Sequence, residues 1–347
     1  MRIPEDIQDL GAAAAYRLGR MLPGLRRFAF NTPFPSGRWP LLLLAGLLLA
    51  LPLVPGCTAE PPAGRADPLL EAQAVSPSGE KLYARPDSSG EVAGADAALA
   101  EAPDDVELLL AAARARWNSW RYREAIALYT RVIELAPDDW RPYTYRGIRQ
   151  VSVREFDGAI ADLEVARELA PLNYDVSYYL GFAYFLAGRF DESANELLRC
   201  FDLADDPAAK AAHSFDFRSC SQIADDVNWR VAITDWTVRA LRRAGRHDEA
   251  MQLLDTITPG MPVEATLAYY HDLLFYKGHI TEEELLSIDA NDPYTLETVG
   301  YGVANWYLVE GDTARALKIL EEIAVHPRWP GYGRIAAEVD LARLSEK

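Results

Sequence analysis

The stretch that decides the fold recurs on a fixed period: APDD at 102–105, APDD at 136–139 and APLN at 170–173. Its prolines, Pro103, Pro137 and Pro171, lie 34 positions apart. Proline ends an α-helix because it has no amide hydrogen to continue the hydrogen-bond ladder, and an Asp or Asn beside it can cap the helix that follows. The period therefore predicts helices that end and restart once in every repeat of this length.

Large and small residues recur at the same places in three stretches aligned on this period: RYREAIALYTRVIELAP (121–137), EFDGAIADLEVARELAP (155–171) and RFDESANELLRCFDLAD (189–205). A second helical pattern precedes each stretch, with a small residue in register at Ala113, Gly147 and Gly181. Small side chains let two helices bring their backbones close together, and larger ones fill the spaces between them. Each unit is therefore predicted to be a pair of packed helices.

This pattern resembles the tetratricopeptide repeat (TPR), a 34-residue helix–turn–helix unit. Weaker copies follow at 237–257 and 303–323, with a shorter divergent pair at 265–288. The resemblance implies an all-α fold: a right-handed TPR superhelix, or α-solenoid, of about six helix pairs. A C-terminal capping helix at 332–345 is expected to face solvent.

Three segments are expected along the chain. Residues 1–57 form a signal or lipoprotein-type export segment, and residues 58–92 are rich in Pro, Ala, Gly and Ser. Such a composition buries too little apolar surface to offset the entropy of ordering, so a flexible tether is predicted there. The TPR solenoid is expected over 93–347, with an insertion at about 204–226 where the period breaks.

The export segment has basic residues before an uncharged apolar run, LLLLAGLLLALPLV (41–54). This run is short for a membrane span, which needs ~20 apolar residues. The following Leu-Val-Pro-Gly-Cys (53–57) resembles a bacterial lipoprotein box in which Cys57 receives the lipid, although Pro55 departs from that pattern. Cleavage after Ala59 and an uncut anchor are the alternatives, and translation from Met21 is a further open point.

Each of these alternatives sends the body of the protein across a bacterial inner membrane. By resemblance to sorted lipoproteins, Thr58 after the cysteine favours the outer membrane. The sequence thus predicts a location in the cell envelope, on the periplasmic side, with a lipid anchor.

The charge of the chain limits its partners. The net charge is −17, and residues 1–57 hold six basic against three acidic side chains, so the remainder sums to −20. A body this acidic repels the phosphates of nucleic acid, which is therefore excluded as a partner.

The sequence contains no recognisable catalytic motif. The five histidines show no tight metal-ligand spacing, and no phosphate loop or nucleophile motif is present. No enzyme activity, cofactor or metal is predicted. Two interpretations of Cys200 and Cys220 remain open. Cys200 is a buried free thiol, or the two cysteines form a disulfide that attaches the insertion to the repeat in an oxidising compartment.

The TPR resemblance implies a concave groove lined by the first helix of each pair, which receives a protein or peptide. The positions carried over are Arg114, Trp117, Asn118, Ile148, Tyr178, Phe182, Phe185, Arg239, Arg242, Tyr301 and Asn305. Aromatic and Arg residues carry much of the binding energy at protein interfaces. The alternative is that Phe182 and Phe185 only pack against a neighbouring helix or the insertion.

Two functions follow from these features. FYKGHITEEELL (275–286) and NWYLVEGDTARAL (305–317) resemble envelope lipoprotein adaptors of the NlpI type, which combine a lipid anchor with TPRs. The first hypothesis is accordingly an envelope-anchored TPR scaffold without catalysis. The second is a structural subunit of an outer-membrane assembly or secretion complex.

Overall fold

The computed structural model describes residues 70–214, 217–288 and 293–346, and side chains throughout these ranges except at 293–296. The predicted export segment and Cys57 lie outside them. The helices are α1 (Glu91–Glu101), α2 (Val106–Asn118), α3 (Tyr122–Leu135), α4 (Trp140–Ser152), α5 (Phe156–Leu169), α6 (Tyr174–Leu186), α7 (Phe190–Asp202), α8 (Pro207–Ala212), α9 (Gln222–Asp225), α10 (Val227–Arg243), α11 (His247–Asp255), α12 (Leu267–Tyr276), α13 (Glu282–Ser287), α14 (Pro293–Glu310), α15 (Thr313–Ala324) and α16 (Tyr332–Ser345).

Six consecutive helix pairs form the solenoid. They are α2/α3, α4/α5, α6/α7, α10/α11, α12/α13 and α14/α15, with α1 ahead of the first pair. Most helices pack mainly on their neighbours in sequence, as expected of a repeat protein, whereas α12 packs mainly on α10 and α14. The predicted all-α solenoid of about six pairs is confirmed.

The repeated sequence features build the pairs as predicted. Asp105, Asp139 and Asn173 cap α2, α4 and α6, each with a side-chain oxygen that accepts from a backbone N–H of the first turn. Gly181 lies so close to the next helix that a Cβ would come within 2.5 Å of the Leu197 side chain. The small residue is therefore needed because the two helices nearly touch.

The described residues of the insertion lie close to the third pair. Its backbone pairs with the start of α6, where the Tyr174 N–H donates to the Arg218 carbonyl at 2.9 Å. Cys220 lies in this insertion, joined by a disulfide to Cys200 of α7, with their Cα atoms 5.0 Å apart. Both cysteines are fully buried, so the link ties the insertion to the repeat.

The prediction of a flexible tether at 58–92 is wrong for residues 70–92, which the structure describes. Strands β1 (Ala72–Val75) and β2 (Lys81–Tyr83) form an antiparallel hairpin, and α1 begins at Glu91. The hairpin packs on the first pair, where Arg123 donates to the Gln73 carbonyl at 2.9 Å. Ser, Pro and Gly supply the tight turn at 76–79, with Gly79 at φ 87°, rather than a flexible linker.

The predicted solvent-facing cap at the C-terminus is also wrong. Most of α16 is buried, from Gly333 to Asp340, although its sequence contains four charged residues. The helix packs on α14 and α15 and reaches side chains of earlier pairs. Among the described residues, no helix combines the length and apolar character needed to cross a membrane.

Candidate protein-binding face

The inner face of the solenoid is defined here as the surface formed by the first helices of the pairs: α2, α4, α6, α10, α12 and α14. Most of the residues predicted to line an open groove on this face are buried. The buried ones are Trp117, Ile148, Tyr178, Phe182, Phe185, Arg239, Tyr301 and Asn305. Asn118 and Arg242 are half-buried, and Arg114 is exposed. The structure therefore places them on the expected helices but corrects the prediction of an open groove.

Helix α16 covers the aromatic middle of the inner face. The Tyr332 ring, at the start of α16, lies 4.9 Å from Phe182 and 6.1 Å from Tyr179 between ring centroids. The Trp236 ring of α10 lies 4.6 Å from Phe182 and 5.4 Å from Phe185. These aromatic side chains therefore pack with one another and with α16, and no partner can reach them in this conformation.

Buried ion pairs hold the middle of α16. Glu338 accepts from Arg154 and from Arg334, each at 2.8 Å, with one carboxylate oxygen for each guanidinium. The three side chains are at most 6 % exposed. Arg154 follows α4 in the second pair, so this contact joins positions 184 residues apart.

A second ion pair holds the end of α16. Asp340 accepts from Arg243 of α10 at 2.9 Å and from the Tyr301 hydroxyl of α14 at 2.9 Å. Arg343 donates to the Leu186 carbonyl at the end of α6 and to Asp340. One helix thus contacts the third, fourth and sixth pairs, which explains why Tyr301 is fully buried.

The loop before α16 contacts earlier parts of the chain through Trp329. Its indole N–H donates to the Tyr83 carbonyl of β2 at 2.8 Å, and its ring lies 5.8 Å from Trp120. Arg154 donates to the Trp329 carbonyl at 2.9 Å. The C-terminal segment therefore binds both the hairpin and the turns of the first two pairs.

Trp120 and Arg154 have unusual backbones. They have φ 57° and 66°, at the turn where the third pair has Gly188 with φ 79°. Positions 120, 154 and 188 are spaced by the repeat period. A left-handed backbone costs a non-glycine residue roughly 1–2 kcal/mol. Contact with the Trp329 loop explains why a large side chain is kept at both positions.

The part of the inner face around Tyr178 packs toward α10, and the insertion joins this packing through Arg218. This ring stacks on Tyr174 with centroids 5.8 Å apart, and Tyr174 in turn meets Trp229 at 5.3 Å. The Arg218 guanidinium lies 3.8 Å from the centre of the Trp229 ring, a cation–π contact. The insertion is therefore part of the packed interior.

Arg239 belongs to a buried ion cluster instead of the groove. Its Nη2 atom lies 2.7 Å from Asp235 and 2.8 Å from Asp272, and all three side chains are at most 1 % exposed. Burial raises the pKa of Asp235 to about 6 and raises the pKa of Asp272 well above its usual value. The cause is the cost of a carboxylate charge away from water, which the single guanidinium offsets only in part.

Asn118 and Arg242 mark the two edges of the inner face that remain partly open. Asn118 donates to Glu91 at 2.8 Å, and Arg242 pairs with Glu310 while its guanidinium lies 3.6 Å from the centre of the Trp306 ring. Both side chains therefore already have partners. Arg114 is the predicted inner-face residue that stays exposed.

The sequence analysis missed the residues that fill the inner face, above all Trp329, Glu338 and Asp340. One signal was available for α16: its charges surround the helix and leave no continuous apolar stripe, which is unusual for a cap resting on a core. For the ion cluster, the i, i+4 spacing of Asp235 and Arg239 was visible, but Asp272 is far away in sequence. No group of three His, Cys, Asp or Glu within residues 70–214, 217–288 and 293–346 is arranged to hold a metal ion.

The comparison with known families agrees with the observed helix pairs. The family model described as tetratricopeptide repeat matches residues 146–209, which run from within α4 to within α8. This part of the chain therefore matches the tetratricopeptide repeat. The likeness to NlpI-type adaptors remains a prediction, and no curated protein matches the sequence.

Several solved structures are similar to the chain. The MamA protein is 16% identical, with 54% of this chain and 83% of that chain covered and a TM-score of 0.37. YrrB, described as a TPR protein with an unusual peptide-binding site, is 14% identical, with 74% and 98% covered and a TM-score of 0.38. Yeast Tom70 is 16% identical, with 74% and 58% covered and a TM-score of 0.29.

Proposed function

We propose that this protein is a non-catalytic TPR scaffold of the bacterial cell envelope, which binds other proteins while its N-terminal segment anchors it. The observation that supports this most directly is the way the inner face receives a helix. Aromatic and Arg side chains from several pairs surround α16, and these residue types dominate protein interfaces. The solenoid thus has the chemistry for holding protein segments.

Since α16 covers the aromatic middle of the inner face, we place the partner on the first two pairs, beside the exposed side chain of α2. Arg114 on α2 is exposed there, and Arg141 on α4 is half-buried and pairs with Glu107 at 2.7 Å. The carboxylates of Glu338 and Asp340 support a non-catalytic role, because both are buried and paired with Arg within the packing. The envelope location rests on the sequence of residues 1–57.

Site-specific photo-crosslinking in the native envelope tests the scaffold function. A crosslinking amino acid is placed in the full chain at Arg114, and in a matched variant at Leu169, an exposed position at the end of α5. We expect discrete protein adducts from position 114 and none from position 169. Crosslinking is preferred to truncation of Phe182 or Phe185, because removal of these buried rings would destabilise the fold and mimic a loss of binding.

Two other crosslinking outcomes would contradict parts of this proposal. Adducts from position 169 alone would move the partner to the outer surface and refute the assignment to the first two pairs. Absence of adducts at both positions, in cells where the chain is folded and membrane-bound, would refute the scaffold function itself.

A further inference from the structure

The cluster of Asp235, Arg239 and Asp272 has an unbalanced charge. Two carboxylates face one guanidinium, and each side chain is almost fully removed from solvent. If both carboxylates were ionised, the cluster would carry one net negative charge in the interior. An uncompensated buried charge costs several kcal/mol, and proteins usually avoid it by binding a proton.

Among the described residues, no second cation is paired with these two carboxylates. Tyr276 of α12 accepts a hydrogen bond from Arg239 at 3.2 Å, and the Tyr301 ring of α14 lies 5.4 Å from the same guanidinium. Tyr269 of α12 also lies near the cluster and is an uncharged phenol. Arg243 and Asp340 pair with each other beside Tyr301, and Arg242 pairs with Glu310.

There is also little room for an ion beside the carboxylates. Gly302 of α14 lies so close to Asp272 that a Cβ added at this glycine would come within 2.5 Å of the carboxylate. Glycine therefore allows α14 to pack directly on the acid. With backbone on this side and Arg239 on another, a proton is the species that can balance the charge.

We propose that Asp235 and Asp272 together hold one proton in the folded protein at neutral pH, which makes their contact with Arg239 a pH-sensitive clasp between the fourth, fifth and sixth helix pairs. The proton neutralises one acid, and the other acid pairs with Arg239. Loss of the proton leaves a net charge among α10, α12 and α14 and weakens their packing. The acids share the proton, so neither is assigned it alone.

The direction of the pH effect follows from the raised pKa values. A carboxyl whose pKa is higher in the folded state stabilises the fold most at pH values below its unfolded pKa. That contribution declines as the pH rises through the folded pKa. For Asp235 this interval runs from the ordinary pKa of 3.8 to about 6, and for Asp272 it extends upward from the same ordinary pKa. While one extra proton is bound in the folded state, the unfolding equilibrium constant rises about tenfold per pH unit.

The test compares the full chain with Asp272→Asn and Asp235→Asn, measured by chemical denaturation from pH 5 to pH 8. Asp205→Asn is the control, since Asp205 is exposed and paired with Lys210. The control should follow the unaltered protein at every pH. Relative to both, the two buried-site variants should lose this pH dependence and should be at least as stable at pH 8, because each leaves one acid for one Arg.

Infrared difference spectroscopy of the unaltered protein gives a second measurement that does not depend on the variants folding. A protonated carboxyl band should persist at pH 7 and disappear at higher pH. Equal pH dependence in all four proteins would overturn the proposal. So would a spectrum at pH 7 without any protonated carboxyl.

Discussion

The Glu338→Gln variant tests whether α16 lies within the solenoid in solution. The Glu338 carboxylate is the shared partner of Arg154 and Arg334, and the three side chains are at most 6 % exposed. Glutamine keeps the size of the side chain but removes its charge, so the buried Arg154 loses its acidic partner and Arg334 keeps only the half-exposed Glu80. Breaking a buried pair in this way typically costs about 3–5 kcal/mol.

The expected loss can be measured against a matched change on the same segment. Glu346 ends α16 and is exposed, so Glu346→Gln should alter the free energy of unfolding by less than about 0.5 kcal/mol. For a domain of this size, a loss of 3–5 kcal/mol lowers the melting temperature by on the order of 10 °C. Denaturant titration gives the free energy, and amide hydrogen exchange shows where protection is lost.

We expect Glu338→Gln to increase exchange first in α16 and in the Trp329 loop, before the α2/α3 and α4/α5 pairs open. If both substitutions had the same small effect, α16 would not be held by these ion pairs and the inner face would be open. If the stability fell while exchange increased equally in every helix, the C-terminal segment would belong to the same cooperative unit as the repeats.

Three further changes test other parts of the structure. Gly181→Ala should lower the free energy of unfolding by about 1–2 kcal/mol, because overpacking against α7 outweighs the gain in helix propensity. Gly94→Ala, on the open side of α1, should raise it by up to about 1 kcal/mol. Equal effects of the two substitutions would contradict the close contact between helices at Gly181. Titration of the native protein should detect no free thiol at Cys200 or Cys220, and reduction should destabilise the fold by about 3 kcal/mol; two reactive thiols before reduction would contradict the disulfide. Cys57→Ser should release the protein from the membrane fraction and abolish incorporation of labelled lipid, and unchanged membrane association would favour an uncut anchor.

The repeat fold was predictable from short stretches because its causes are local. Pro103, Pro137 and Pro171 end helices through their own missing N–H, and the neighbouring Asp or Asn caps the next helix within three residues. Small residues such as Gly181 specify close contact between helices adjacent in the chain. All these signals act within one repeat, so they are visible without knowledge of the tertiary structure.

The hairpin of β1 and β2 was not predictable from its local sequence. Residues 72–83 contain few apolar side chains and read as a linker, yet Leu82 is only 2 % exposed and Trp329 binds the Tyr83 carbonyl. This hairpin is held by contacts with residues outside its own sequence: Arg123, 50 positions from Gln73, and Trp329, 246 positions from Tyr83. Composition alone does not reveal such contacts.

The sequence by itself determined the number of helix pairs, their punctuation and the small residues between them, since each depends on interactions over one repeat. Only the tertiary structure decided what lies on the inner face. A phenylalanine at position 182 suits an open groove as well as a packed interior, so the local sequence does not distinguish the two. The structure does, because Tyr332, 150 positions further on, packs against Phe182. The contacts that bring α16 back onto earlier pairs, such as Arg154 with Glu338, span 184 residues, and no local period encodes them.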